Sequence, residues 1–178
     1  MNKSPSKFDL DKLQFINHHY INTINNETIF QKVIDKIDKQ LLSREHVARI
    51  KKSIPLIKSR GHTLNELVDL ASIFIAYSNP PDDQSKALLE LEQSIQILKK
   101  IFHILDNTKP WKADVIKQQC FDFAKQFGIQ FPEIMKILRS GILGTFKSPP
   151  IYKTLEIMTQ NEVLKRISKL VKFNYHLK

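Results

Sequence analysis

The chain has 178 residues and carries 28 Lys and Arg against 18 Asp and Glu, a net charge of +10. An apolar fraction of 42% excludes a disordered chain, and only four glycines exclude a turn-rich all-β fold. The single cysteine, Cys120, excludes an internal disulfide and fits a reducing cytosol. The longest apolar stretch, LVDLASIFIAY, is too short to span a bilayer and includes Asp69. The opening MNKSPSKFDLDKL lacks the apolar core of a secretion signal. A cytoplasmic protein without a membrane partner is expected.

Helical punctuation begins early. Ile29, Val33, Ile37 and Leu41 fall four apart and predict one face of a helix. Val47, Ile50, Ile54 and Ile57 repeat the spacing after Ser43, an N-cap candidate, and Pro55 should kink or shorten that helix. Thr63 and Glu66 have the spacing of a capping box. The helix they open carries Leu64, Leu67, Leu70, Ala71 and Phe74 and should be mostly buried.

SNPPDD, Ser78 to Asp83, cannot sit inside a helix and marks a boundary. One long helix is expected after it, with Leu88, Leu91, Ile95, Leu98, Ile101, Phe102 and Leu105 along its apolar side, ending at DNTKPW. Residues 112–127 read as a further helix closed by Gly128, and Pro132 suits the first turn of the next. That helix should break at Gly141 and Gly144, near Ser140. Ser148 then reads as an N-cap with Pro149 in the first turn, and Thr159 with Glu162 as a second capping box for a short last helix bearing Leu164, Ile167 and Val171. No alternation predicts a strand. The expected fold is all-α, two consecutive small helical bundles.

From Ile134 onward nine basic residues (Lys136, Arg139, Lys147, Lys153, Lys165, Arg166, Lys169, Lys172 and Lys178) face only Glu156 and Glu162, so this stretch holds +7 of the +10. Such asymmetry suits a polyanion, most naturally nucleic acid, and equally a solvated lysine-rich face. No phosphate-binding glycine loop, zinc spacing or His-Glu-x-x-His helix occurs, the six histidines are scattered, and Cys120 reads as packing. The residues point to binding rather than catalysis. Arg60, between one helix and the capping box of the next, either projects a fork of donors from a junction or caps the carbonyls of its own helix.

Several stretches together resemble bacterial glutamyl-tRNA synthetases. FDLDKLQFINHHYI (Phe8–Ile21) is similar to the family's FD-x-x-KL-x-W-x-N-x-x-YI, with Phe15 at the tryptophan. RGHTLNEL (Arg60–Leu67) resembles R-x-x-TL-x-EL. LRSGILGTFKSPPIYKTLEIM resembles LR-x-ALTG-x-x-x-SPP-x-FE-x-L-x-LLG, and EVLKRI resembles the closing E-x-L-x-RL. The match is collinear from Phe8 to Ile167.

The resemblance implies the C-terminal, anticodon-binding region of a class I synthetase, a helical cage in which splayed bases are read. It implies residues 1–24 as the end of the stem-contact region, and 25–77 and 78–178 as two helical anticodon-binding subdomains. It places Arg60 at the arginine that reads the third anticodon base, a cytosine, and Arg139 and Ser148 at contacts to the other bases, with Pro149 and Ile151 beside them. Lys147 and Lys153 would meet phosphates. The partner implied is the anticodon loop of tRNA-Glu, not DNA, bound by a monomer. The signatures for ATP activation do not occur, so no catalytic residue, metal or cofactor is expected here, and ATP and Mg belong to the catalytic domain of a parent enzyme of which this is a fragment or relic. Ile142–Gly144 replaces Leu-Thr-Gly, losing a hydroxyl, and Thr159–Gln160 stands where Leu-Gly is usual. A helical protein-interaction module without RNA binding is the alternative; a helix-turn-helix DNA binder ranks last, because no helix clusters Arg, Asn and Gln.

Overall fold

The computed structural model describes residues 9–75 and 81–173, with side chains through Val171. Within these the chain is all-helical, and it divides into two compact units, Met1–Ala71 and Ser72–Lys178. Ser78 of the expected boundary lies outside the described residues.

In the first unit, α1 (Leu10–Thr23) opens at Asp9, whose carboxylate accepts the Lys12 N–H. Asn25 does the same for the Thr28 N–H at the start of α2 (Asn26–Lys36). The stripe Ile29, Phe30 and Val33 is buried, but α2 stops before the expected Leu41. Ile37 turns extended and stays buried, and the Asp38 carboxylate accepts the Gln40 N–H, so a side chain displaces the helix with a single 3-10 turn, Lys39–Leu41. α3 (Arg44–Lys58) packs on α2 and is capped by the Ser43 hydroxyl, which accepts the His46 N–H. Pro55 does not shorten it; the ring lies on the exposed face, where water can reach the carbonyl it leaves unbonded. α4 (Leu64–Ser72) buries Leu67 and Ala71 fully, with Leu64 and Leu70 half-buried.

In the second unit, α5 (Asp83–Glu90) and α6 (Glu92–Asp106) replace the single long helix expected from the spacing. Leu91 between them is extended and 55% exposed. The reason is a change of phase. The side of α5 that buries Ser85 and Leu89 would, in a straight helix, run on through Glu92, Gln93 and Gln96, which are exposed, whereas α6 buries Ile95, Leu98, Ile101 and Leu105. The bend lets both apolar stripes face inward.

α7 (Ala113–Phe127) ends as expected at Gly128, in the left-handed region at φ 64°. α8 (Phe131–Leu143) begins with Pro132 in its first turn and runs through Gly141 to a left-handed Gly144. Gly141 does not break it: a Cβ there would stand 2.8 Å from Leu98 Cδ1, so the missing side chain lets α6 approach α8. α9 (Ile151–Met158) starts later than expected. Pro150 is its cap residue, and the Ser148 hydroxyl donates to the Pro149 carbonyl instead of receiving a helix amide.

α10 (Gln160–Phe173) is a long helix, not a short one, and packs on α6, α8 and α9. Its expected capping box is absent, because the Glu162 carboxylate accepts Arg166 Nε at 2.7 Å. The Gln160 side-chain amide reaches across to the carbonyls of Leu105 and Asp106, closing the end of α6. Thr159 sits at φ 70°, ψ 151°. The closing glycine of the motif that Leu138–Thr159 resembles falls on Thr159, not Gln160, and the backbone there is one that glycine adopts freely.

Candidate nucleic-acid interface

Arg60 follows the last turn of α3. Its N–H donates to the Ile57 carbonyl at 2.9 Å, and its side chain is exposed. No described residue forms a hydrogen bond or ion pair with the guanidinium, so it does not cap its own helix. The backbone around it is held on several sides. Gly61 is buried, and a Cβ there would fall 2.5 Å from Leu67 Cδ2. The Glu66 carboxylate accepts the His62 N–H at 2.8 Å, one residue upstream of the expected capping-box partner, while the Thr63 hydroxyl accepts the Glu66 N–H. Nζ of Lys58, itself 6% exposed, donates to the carbonyls of Asn22 and Ile24 and to Asn26 Oδ1. His18 Nδ1 lies 3.0 Å from the Gly61 carbonyl.

In the second unit the other expected residues run from the last turns of α8 through the loop after it into the first turn of α9. Arg139, half-buried, sits in the last turns of α8, and its carbonyl accepts the Gly144 N–H. Lys147 and Lys153 are exposed, Ser148 is half-buried, Pro149 is buried, and Ile151 is only 1% exposed. Pro149 and Ile151 therefore line the floor of the loop rather than its rim. Of the nine basic residues in the tail, Lys136, Lys147, Lys153, Lys165 and Lys169 are exposed. Arg166 is interior: its Nη1 donates to the carbonyls of Ile73 and Ile142, so its charge is structural. The side chains of Lys172 and Lys178 lie outside the described residues.

Asp82 reads in the sequence only as one of the turn-forming residues of SNPPDD; the structure makes it the anchor of this loop. Its carboxylate accepts the Ser85 N–H at 2.7 Å and the Phe146 N–H at 3.3 Å, and its own N–H donates to the Gly144 carbonyl. Burial pushes its pKa up, but the donors of Ser85, Thr145 and Phe146 outweigh that and hold it below the usual carboxylate value. Only proximity in space, 64 residues apart in sequence, reveals the link.

Among the described residues no cluster of side chains could hold a metal ion, and no helix is long and apolar enough to cross a membrane. Cys120 is buried, and burial raises its thiol pKa to about 12, far from a nucleophile's. What these elements do present is an all-helical fold with exposed cations, Arg60 among them, at or beside its helix junctions. The chain belongs to the anticodon-binding domain family, whose model matches residues 18–171. It is 32% identical to glutamate–tRNA ligase 1 of Bartonella bacilliformis over 96% of this chain, and 31% identical to glutamate–tRNA ligase 2 of Rhodospirillum centenum over 93%. It spans 38% and 36% of the lengths of those relatives. The fold is similar to that of part of a glutamate–tRNA ligase from Elizabethkingia meningosepticum, with a TM-score of 0.75 at 21% identity, covering 97% of this chain and 34% of that one.

Proposed function

We propose that the chain binds the anticodon loop of tRNA-Glu as a monomer, in the cytoplasm, as the RNA-reading part of a glutamate–tRNA ligase. Residues 25–77 and 78–178 are the two reading subdomains and 1–24 the connector. ATP and Mg are used by the catalytic portion of the parent enzyme, which joins glutamate to the tRNA. The observation that supports this best is Arg60: an exposed guanidinium without a partner among the described residues, on a backbone pinned from four directions. A cytosine presents O2 and N3 as adjacent acceptors, which a two-pronged donor can take together once the base has left its stack. Arg139 and Ser148 contact the other anticodon bases over the floor formed by Pro149 and Ile151, and Lys147 and Lys153 meet phosphates.

The test is a titration with tRNA-Glu transcripts differing at each anticodon position, at several salt concentrations. Tighter binding of the transcript with cytosine at the third position is expected, and equal binding of all variants refutes anticodon reading. The alternative, a protein-interaction module, has its own support in the exposed Leu10, Phe15 and Tyr20 of α1. It predicts salt-insensitive binding to a protein and none to tRNA.

A further inference from the structure

We propose that His18 and Lys58 are positioning residues for Arg60, setting base selectivity without touching RNA; this rests on Arg60 reading a base, as proposed above. A long, exposed arginine side chain selects a base only if its point of attachment stays still, because the freedom a mobile backbone must give up opposes every hydrogen bond it forms. The anchors of this attachment come from α1, far away in sequence.

Lys58 lies two residues before Arg60. Its ammonium has three N–H donors and meets three oxygens, those of Asn22, Ile24 and Asn26, so it is buried yet fully bonded. The two carbonyls belong to the C-terminal end of α1 and the turn after it, where helix carbonyls lack partners and a cation is favoured. Lys58 therefore ties the end of α3 to the end of α1. One residue after Arg60, the Gly61 carbonyl accepts from His18 Nδ1 at 3.0 Å. That donation fixes the tautomer, leaving Nε2 to accept from Asn22 Nδ2 at 3.1 Å. The His18 ring also lies against that of His62, with centroids 4.7 Å apart. Arg60 is thus bracketed by two anchors that both lead to α1, while its own side chain is left for a ligand.

The test compares the full chain with His18→Ala, His18→Asn, Lys58→Met, Arg60→Ala and the double variant His18→Ala/Arg60→Ala. Each is titrated with tRNA-Glu carrying cytosine or another base at the third anticodon position, after circular dichroism has shown the fold intact. Discrimination between the two RNAs should fall by roughly 3- to 10-fold in His18→Ala. It should return in His18→Asn, whose amide nitrogen can stand where Nδ1 stands, and should not fall below the Arg60→Ala level in the double variant. Lys58→Met should act in the same sense; if it does not fold, the half-buried His18 still decides. Equal weakening of both RNAs by His18→Ala, or unchanged discrimination, overturns the positioning role. If the unsubstituted chain shows no discrimination, or Arg60→Ala keeps it, the proposed function fails instead, and the two failures are told apart by the Arg60→Ala arm.

Discussion

Arg60 and Arg166 are both arginines, and their surroundings decide that they do different work. Arg166 reaches the carbonyls of Ile73 and Ile142 and the Glu162 carboxylate, and it is 4% exposed. Arg60 is exposed to solvent. On the function proposed above, replacing Arg60 with alanine should leave the fold intact and cost about 1–3 kcal/mol of binding to tRNA-Glu, with selectivity lost at one anticodon position only; competition titrations against single-base variants measure this. Thr159 presents a residue-scale cost of another kind. A β-branched residue at φ 70°, ψ 151° is strained by roughly 1–3 kcal/mol, while a glycine would lose about 0.5–1 kcal/mol to added freedom in the unfolded chain. Thr159→Gly should therefore stabilise the protein by about 1 kcal/mol, read as a raised urea midpoint.

At the scale of elements, junctions carry more information than helix interiors. The α3–α4 junction depends on Gly61, where a Cβ would meet the fully buried Leu67. Gly61→Ala should destabilise the chain by about 1–3 kcal/mol by overpacking, measured by denaturant unfolding. The loop between α8 and α9 depends on Asp82, which caps α5 and holds the Phe146 amide at the same time. Because its folded pKa lies below the usual 3.8, its contribution is complete above that value and is lost as pH falls through the folded pKa. Asp82→Asn keeps an oxygen for the Ser85 N–H but sets an NH2 against the Phe146 N–H, so it should cost about 1 kcal/mol at neutral pH, and the difference from the unsubstituted chain should shrink below about pH 4; melting temperatures from acid to neutral pH test both. Helix identity was legible throughout, since apolar residues recur at three and four. The break at Leu91 was not, because Leu88, Leu91 and Ile95 satisfy helical spacing although the packed faces on the two sides are out of phase. The continuation of α8 through Gly141 was hidden for the opposite reason: a glycine that looks like a breaker in isolation is a contact surface for Leu98.

For the whole molecule the relevant quantity is charge in space. The net +10 includes Lys58 and Arg166, both buried and bonded within the protein, so the charge available to a polyanion is smaller than the sequence total. Removing an exposed cation such as Lys147 or Lys153 should weaken all RNAs alike. The slope of log K against log salt should also become shallower by about 0.7 for each phosphate left without its lysine. A change confined to one anticodon variant would instead mark that lysine as a base reader.

By itself the sequence determined the helical class, because its apolar spacing suits helices and little else, and it marked Arg60, Arg139 and Ser148 through motifs whose order along the chain is preserved. It also determined that its scattered histidines and lone cysteine hold no metal-binding spacing. Only the tertiary structure decided which cations face water, that Ile151 belongs to the core, and that His18, Lys58 and Asp82 hold loops distant in sequence. Periodicity reports a residue's own helix face, whereas a partner 43 or 64 residues away is chosen by how helices pack, and no local pattern records that choice.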